Sequence, residues 1–302
     1  MTSNSAVSGR NLDTPRPSWP RIAVVGAGAV GGYFGGLLAL AGAPVVMIGR
    51  QAFVDAVATS GLLLDTLQFQ KTVRVEVSTE MAAVRGADLV LFCVKTADTL
   101  TTARQLAPFL GPEAVVLSLQ NGVGNAEQIA TAVKVNVLSA VVYVAASKPA
   151  PAHVKHVGRG DLILGPECDD TRDIAETFAH AGISCRISGN IEGELWVKLI
   201  SNCALNAISA LGQARYGEIA ESSDARRLVQ TLVEEVFAVA RAARIELPGL
   251  EHPPDALASA MQIATQMPQA RSSTAQDISR RKQTEIDSLN GYIASRGAEL
   301  GV

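Results

Sequence analysis

The chain has 302 residues, of which 48% are hydrophobic and 18% are charged, so it can bury a substantial core and does not have the composition of a disordered protein. Its formal net charge of −3 is spread along the chain, which excludes the basic footprint of a nucleic-acid-binding protein. The four cysteines form no C-x-x-C pair and have no metal-ligand spacing with histidine, and charges or glycines interrupt every apolar run before it could cross a bilayer. We therefore predict a reduced, cytoplasmic protein with no metal, no nucleic-acid partner and no membrane association, long enough for two modest domains.

The first predicted elements are a leader and a βαβ unit. Residues 1–20 are rich in Ser, Pro and Asn and lack the apolar segment of a signal peptide, so we interpret them as a disordered leader. Residues 22–25 are an apolar run of strand length, residues 30–41 are rich in Gly, Leu and Ala like a helix packed on a sheet, and residues 44–48 are a second apolar run. Together they predict a βαβ unit of about 30 residues.

Strands and helices continue to alternate up to about residue 188. Further elements are predicted as strands at residues 73–77, 87–94, 114–119, 137–145, 154–157 and 161–164, and as a helix at residues 100–110. Gly158 and Gly160 indicate a hairpin between the last two strands. The alternation predicts a mainly parallel, Rossmann-type sheet, covered by helices on both faces, over residues 21–188.

The pattern becomes helical after Gly189. Residues 192–211, 222–244 and 254–267 predict helices, and helical sequence continues from residue 272 to the end. The predicted fold is therefore α/β, with an N-terminal Rossmann-type domain followed by a second, all-helical domain over residues 189–302.

The first strand-to-helix turn carries a glycine fingerprint, G-A-G-A-V-G at residues 26–31. The first glycine permits the tight turn, the second lets the backbone approach a pyrophosphate, and the third lets the helix pack closely on the strand. The helix then directs its unpaired N–H groups and positive dipole end at the phosphates. We predict a dinucleotide-binding loop formed by Gly26, Gly28, Ala29, Val30 and Gly31.

The end of the second strand favours NADP over NAD. An NAD site would place Asp or Glu there to accept from the ribose 2′-hydroxyl, whereas this strand ends in Gly49 and Arg50 and the next carboxylate is Asp55. The planar guanidinium of Arg50 can pair with a 2′-phosphate instead. The alternative is an ordinary solvated arginine.

Two polar residues follow buried strands. Lys95 comes directly after the strand at residues 87–94, and Asn121 comes shortly after the strand at residues 114–119. In open α/β sheets the ligand crevice lies at the carboxyl ends of the strands. We therefore predict that both residues contact the cofactor or the substrate, with plain loop positions as the alternative.

The first helix of the second domain carries a polar stripe. Lys198, Asn202 and Asn206 are spaced four residues apart and so project from nearly one helix face, among mostly apolar neighbours. Asparagine is a poor helix former, which favours a stripe facing a cleft over a solvated surface, with Trp196 and Leu199 packing inward. A lysine whose pKa is lowered by partial desolvation can protonate a carbonyl oxygen on which negative charge develops.

These motifs resemble those of the ketopantoate reductase family, whose activity is the 2-dehydropantoate 2-reductase step of pantothenate biosynthesis. The resemblance covers residues 21–301. It rests on the fingerprint at 26–31, Q-N-G-V-G at 120–124, E-L-W-V-K at 194–198 with the two asparagines after it, S-S at 272–273 with Q-D at 276–277, and T-E-I-D at 284–287. It implies an NADPH-dependent enzyme that reduces a 2-keto acid.

The resemblance also implies a role for individual residues. Lys198 is expected to be the catalytic lysine that protonates the keto oxygen, and Glu285 the second catalytic residue, at the junction of cofactor and substrate. Asn202, Asn206 and Ser273 match positions that bind the keto acid.

Three further positions match the cofactor site of that family. The resemblance implies that Asn121 and Lys95 lie near the nicotinamide and its ribose, and that Arg50 selects NADPH. For the C-terminal motifs the residues alone leave other interpretations, because Ser273 begins a capping-box pattern, Thr284 can cap another helix, and Glu285 can be a surface charge.

Some alternatives stay open at this point. Family members usually continue past Val302 with a proline-containing loop and a last helix, so the second domain is expected to lack that helix, as a truncated form would. The substrate could instead be another 2-oxo acid or a ketone, or the protein could bind NADP without catalysis. The apolar helical faces make a homodimer plausible.

Overall fold

Short apolar runs build one large sheet in the first part of the chain, and the computed structural model describes residues 19–302. The elements of this part are, in chain order, β1 (Ile22–Val25), α1 (Ala29–Leu40), β2 (Val45–Ile48), α2 (Gln51–Ser60), β3 (Leu62–Asp65), β4 (Gln70–Val73), β5 (Glu76–Ser78), β6 (Leu89–Phe92), α3 (Thr99–Leu106), β7 (Val115–Ser118), α4 (Asn125–Ala130), β8 (Asn136–Ala150), β9 (His153–Gly165), α5 (Asp169–His180) and β10 (Cys185–Ile187). Residues 1–18 of the predicted leader lie outside the described residues. Trp19, within the predicted leader, packs against the core, and its ring meets that of His180 edge-on with centroids 6.0 Å apart, so the prediction of disorder is wrong for this residue.

The sheet has ten strands in the order β4-β3-β9-β8-β7-β6-β1-β2-β5, and β10 pairs with β9. From β5 to β8 every neighbouring pair is parallel, whereas β9 runs antiparallel to β8 and β4 runs antiparallel to β3. Every residue of β1, β2 and β6 is buried, because helices cover both faces of the sheet. The predicted mainly parallel α/β sheet is confirmed, and the carboxyl ends of its parallel strands meet at one edge.

The single strand predicted at residues 73–77 is wrong. The chain forms two short strands there, and β4, which ends at Val73, lies at the opposite edge of the sheet from β5, which begins at Glu76. The polar–apolar alternation of residues 73–77 continues across the break between these two edge strands, each of which has one exposed side. The alternation therefore does not show that one strand ends and another begins there.

The hairpin predicted through Gly158 and Gly160 is also wrong. Residues 153–165 form one continuous strand, β9, and the hairpin turn lies earlier, between β8 and β9. Gly160 has a φ of 131°, and a Cβ there would lie 2.6 Å from the hydroxyl of Tyr33. The glycine therefore serves the close approach of a buried tyrosine rather than a turn.

The rest of the chain is helical after β10. Its helices are α6 (Ile191–Leu211), α7 (Tyr216–Glu221), α8 (Ser223–Ala242), α9 (Pro253–Gln266), α10 (Ser273–Ser279) and α11 (Asn290–Leu300), with a 3₁₀ turn at Ile286–Ser288. The sequence patterns missed α7, a helix of less than two turns. Within residues 19–302, no helix is long and apolar enough to span a bilayer.

Helix α6 is the centre of the helical part. Its N-terminus is capped by Asn190, whose Oδ1 accepts from the Gly193 N–H at 2.9 Å. Trp196 and Leu199 are buried in the core that α6 shares with its neighbouring helices, as predicted. Because these apolar residues fix one face against the bundle, the opposite face of α6 is turned toward the sheet.

Candidate active site

A cavity of about 600 Å³ lies between the carboxyl edge of the sheet and the helical part. Residues of β8, α6 and α10 contribute to its walls, and the sequence-predicted residues on it are Val30, Asn121, Lys198, Asn202, Asn206 and Ser273. The cavity therefore collects residues from the glycine fingerprint, from the loop after β7 and from the polar stripe of α6. Open clefts between two parts of a chain are common positions for small-molecule sites.

Lys198 is held at the sheet side of this cavity. Its Nζ donates to the Oδ1 of Asn121 at 2.7 Å and to the carbonyl oxygen of Val142, on β8, at 2.6 Å. An ammonium has three N–H groups, so two are used to fix its position and one is left for a ligand. Burial lowers the pKa of Lys198 to about 8, while the charge of Glu285 opposes this shift and the charge of Arg159 adds to it.

The position of Asn121 depends on a network behind it. The buried side chain of Gln120 donates to the carbonyl of Val94 at 3.0 Å and to the hydroxyl of Thr99 at 2.7 Å. The carbonyl of Asn121 accepts from the Asn125 side chain at 2.8 Å. These bonds tie the loops after β6 and β7 together, so Asn121 is presented to Lys198 by a fixed scaffold.

Glu285 and Lys95 connect the helical part to the end of β6. The Oε1 of Glu285 accepts from the backbone N–H of Thr96 at 3.1 Å and from its hydroxyl at 3.3 Å. Lys95 forms an ion pair with Asp277 of α10 and donates to the carbonyl of Gln283 at 3.2 Å. Both predicted residues thus bridge the two parts of the chain beside the cavity.

The substrate-side residues lie on α6 and α10. Asn206 is buried, and its Oδ1 accepts from the hydroxyl of Tyr216 at 3.4 Å. Asn202 lines the cavity without a side-chain hydrogen bond among residues 19–302. Burial raises the pKa of Tyr216 to about 12, so this phenol stays a hydrogen-bond donor. The sequence patterns missed Tyr216, because its helix was not predicted.

Ser273 does not cap the helix that was predicted to start with it. Helix α10 is capped by the preceding residue, Ser272, whose Oγ accepts from the Ala275 N–H at 3.0 Å and donates to the carbonyl of Asn206 at 3.2 Å. The hydroxyl of Ser273 is left to line the cavity. The cap predicted at Thr284 is also wrong, because the following 3₁₀ turn starts after Glu285 and has no side-chain cap.

The charged residues that line the cavity are all basic within the described part of the chain. Besides Lys198, they are Arg159, Arg215, Arg271 and Arg280. The guanidinium of Arg159 lies 3.8 Å from the centroid of the Tyr143 ring and forms a two-point ion pair with Asp161, which itself lies off the cavity. An excess of positive charge around a half-open cavity attracts anionic substrates. The sequence patterns missed these arginines, because they lie far apart in the chain.

Only one of the three glycines of the fingerprint leaves room for a ligand. A Cβ on Gly26 would lie 2.8 Å from the backbone of residue 93, and a Cβ on Gly31 would lie 2.3 Å from the carbonyl of Gly26. A Cβ on Gly28 would meet nothing within 4 Å, although this residue is the N-cap of α1. The first and third glycines are thus required by packing, whereas the second faces open space at a helix N-terminus, as a phosphate site requires. Arg50 is exposed at the N-cap of α2, directly after β2.

The chain is similar to known proteins along nearly the whole of its described length. The family model for "Ketopantoate reductase PanE/ApbA" matches residues 22–167, and its C-terminal counterpart matches residues 190–302. A 2-dehydropantoate 2-reductase of Archaeoglobus fulgidus is 32% identical over 93% of this chain and 92% of its own length. A solved PanE/ApbA family ketopantoate reductase from Ralstonia eutropha JMP134 is 46% identical with a TM-score of 0.87, covering 93% of this chain and 92% of its own. A ternary structure of D-mandelate dehydrogenase with NADH and anilino(oxo)acetate is 25% identical with a TM-score of 0.86, covering 93% of both chains.

Proposed function

Because the chain belongs to the PanE/ApbA ketopantoate reductase family of NAD(P)-dependent oxidoreductases, we propose that it reduces 2-dehydropantoate to pantoate with NADPH, a step of pantothenate biosynthesis. The observation that carries this proposal is the ammonium of Lys198, held by Asn121 and Val142 at the edge of a cavity whose charged lining is basic. A keto acid brings a carboxylate and a carbonyl oxygen, which are the two groups that such a cavity attracts and protonates.

Lys198 acts as the general acid. NADPH, when bound, would supply the hydride for the carbonyl carbon. As negative charge develops on the keto oxygen, the free N–H of Lys198 donates to it and then transfers its proton, while the other two N–H groups keep the ammonium in place. A pKa of about 8 suits this role, since the lysine is mostly protonated at neutral pH and still gives up its proton readily.

Glu285 supports the acid through its charge. Its negative charge favours the protonated form of Lys198, which opposes the desolvation that lowers the lysine pKa. Through its bonds to Thr96 it also holds the loop after β6 against the helical part. It is therefore proposed as the second catalytic residue, at the junction of the cofactor and the substrate.

The substrate is proposed to bind on the helical part and the cofactor on the sheet. Asn202, Asn206 and Ser273 offer neutral donors and acceptors to the keto acid, and none of them adds a charge that would compete with Lys198. Residues 189–302 would therefore form the substrate domain, and residues 21–188 the cofactor domain.

The cofactor would be held by the first part of the chain. The open space at Gly28 and the N-terminal amides of α1, which include Ala29 and Val30, fit a diphosphate. Asn121 and Lys95 are proposed to lie near the nicotinamide and its ribose. Arg50, at the end of β2, is proposed to bind the 2′-phosphate that distinguishes NADPH from NADH.

The test is the loss of NADPH absorbance when the purified protein is mixed with 2-dehydropantoate. We expect rapid oxidation that depends on the keto acid, and a much higher kcat/KM with NADPH than with NADH. No oxidation by protein that demonstrably binds NADPH would remove 2-dehydropantoate as the substrate. If every 2-oxo acid and ketone tested gave the same result, the protein would be a non-catalytic NADP-binding protein.

A second candidate is the reduction of a bulkier 2-oxo acid. The lining of the cavity of about 600 Å³ includes the apolar side chains of Leu205, Ile263 and Met267, which could accept a larger substrate side chain. The neighbour named D-mandelate dehydrogenase acts, by its name, on an aromatic hydroxy acid. The kcat/KM values for 2-dehydropantoate and phenylglyoxylate separate the two candidates, since a higher value for phenylglyoxylate would favour the second.

A further inference from the structure

A cation that no sequence motif marks lies over the nucleotide-binding loop. Lys148 is near the end of β8, and its Nζ donates at 2.6 Å to the carbonyl oxygen of Ala27, inside the glycine fingerprint. The same Nζ lies 4.2 Å from the centroid of the Phe53 ring, in the first turn of α2. The N–H of Phe53 bonds to the carbonyl of Arg50 at 2.8 Å. Lys148 therefore reaches from the hairpin to the carboxyl ends of both β1 and β2.

The positive charges of two further side chains act on Lys148, each from a separate element. Lys148 comes from β8, Arg50 from the N-cap of α2, and Lys282 from the loop after α10. That loop is held at the sheet edge, because the carbonyl of Gln283 accepts from Lys95 at the end of β6. Burial, together with the charges of Lys282 and Arg50, lowers the pKa of Lys148 to about 8.

None of the three side chains, Lys148, Arg50 and Lys282, forms an ion pair within residues 19–302. A half-buried lysine whose neighbours are like charges is an unfavourable arrangement by itself, and a bound anion relieves it. The cluster therefore has the character of an anion site that is complete only with its ligand.

We propose that Lys148, together with Arg50 and Lys282, forms a cage for the 2′-phosphate of NADPH, and that Lys148 is a main determinant of selectivity over NADH. This inference rests on the NADP dependence proposed above. The end of β2 is where Rossmann-type sites recognise the 2′-position of the ribose, whereas the diphosphate is served by the N-terminus of α1. Lys148 has two N–H groups besides the one that holds Ala27, so it can bind a phosphate without leaving the loop.

Nucleotide binding in the absence of any keto acid tests this proposal. Wild-type protein, K148Q, K148R and the control K155Q are titrated by calorimetry with NADPH, NADH and adenosine 2′,5′-bisphosphate. Lys155 is exposed on β9 and makes no side-chain hydrogen bond or ion pair among the described residues, so its replacement controls for the loss of one positive charge. Thermal unfolding of each variant checks that the fold is intact.

The loss of a charge-assisted hydrogen bond to phosphate predicts that K148Q binds NADPH and the bisphosphate about 10- to 100-fold more weakly than wild type, with its affinity for NADH unchanged. We expect K148R to keep most of the preference for NADPH and K155Q to behave like wild type. Equal losses for NADPH and NADH would overturn the proposal and assign Lys148 to the diphosphate, and no loss for either would also overturn it.

The same titrations separate this inference from the proposed function. If wild-type protein does not prefer NADPH, both the proposed cofactor and the cage are wrong. If wild type prefers NADPH and K148Q keeps that preference, only the cage is wrong.

Discussion

Replacing Lys198 by methionine isolates the role of its ammonium. Methionine has a similar length and volume, so K198M should fill the same space while removing all three N–H donors. The change leaves the Oδ1 of Asn121 and the carbonyl of Val142 without their donor, which costs about 1–3 kcal/mol for a buried group. It also removes a desolvated charge, which offsets that cost, so we expect the variant to fold with a Tm close to wild type.

The loss of activity should be far larger than the change in stability. A positioned general acid contributes about 10²- to 10⁴-fold to the rate, and a donor to a developing oxyanion contributes about 2.7–4 kcal/mol. One N–H performs both tasks in Lys198, so the two contributions overlap and are not added. We expect kcat/KM of K198M to fall about 10³-fold, which corresponds to roughly 4 kcal/mol of transition-state stabilisation.

The assay follows NADPH oxidation with 2-dehydropantoate, and NADPH affinity is measured separately by fluorescence. K134A is the matched control, since Lys134 is exposed after α4 and makes no side-chain hydrogen bond or ion pair within the described chain. We expect K198M to keep its NADPH affinity and K134A to keep full activity. A K198M enzyme with kcat/KM within about tenfold of wild type would refute the general-acid role, because tenfold is only 1.4 kcal/mol.

Three further predictions concern the pKa of the same lysine and the glycine fingerprint. Because protonated Lys198 is needed and its pKa is lowered to about 8, kcat/KM should be level below that pH and decline above it; a level profile up to pH 10 would contradict this. In pH profiles, E285Q should move the decline to lower pH and R159Q to higher pH, since Glu285 favours the protonated lysine and Arg159 disfavours it; shifts in the same direction would be inconsistent with these charges acting on the lysine. G28A should keep the wild-type Tm but bind NADPH weakly, because its Cβ would enter the open space proposed for the diphosphate. G31A should lower the Tm, because its Cβ would lie 2.3 Å from the carbonyl oxygen of Gly26. Calorimetry and thermal unfolding distinguish the two variants.

Local sequence patterns correctly predicted the features that depend only on residues close together in the chain. The βαβ unit follows from apolar runs of strand length around a glycine fingerprint, and the structure has β1, α1 and β2 there. The polar stripe of α6 follows from the helical period, which places residues four apart on one face, and Lys198, Asn202 and Asn206 do line one cavity. Local patterns failed where a residue is required by a contact with a distant part of the chain. Gly160 is required by the close approach of Tyr33 and does not form a turn.

The choice of the capping serine of α10 also depended on tertiary packing. A serine followed three residues later by Gln predicted a cap at Ser273, but the cap is Ser272, whose hydroxyl also bonds to the backbone of α6. Sequence spacing allows either serine to cap, since each stands before a helical run. Packing of α10 against α6 decided between them, and it left Ser273 on the cavity.

The sequence by itself determined the α/β class, the glycine fingerprint and the polar helix face, because each depends on periods and turns of a few residues. Only the tertiary structure decided the site, because its bonds join residues far apart: Lys198 to Asn121 across 77 positions, Glu285 to Thr96 across 189, and Lys148 to Ala27 across 121. The pKa of Lys198 is also decided there, since burial and the charge of Arg159 lower it and the charge of Glu285 opposes them through space. Periodicity specifies which side chains lie on the same face of a helix or strand, whereas the packing of the helices on the sheet specifies which residues that face contacts.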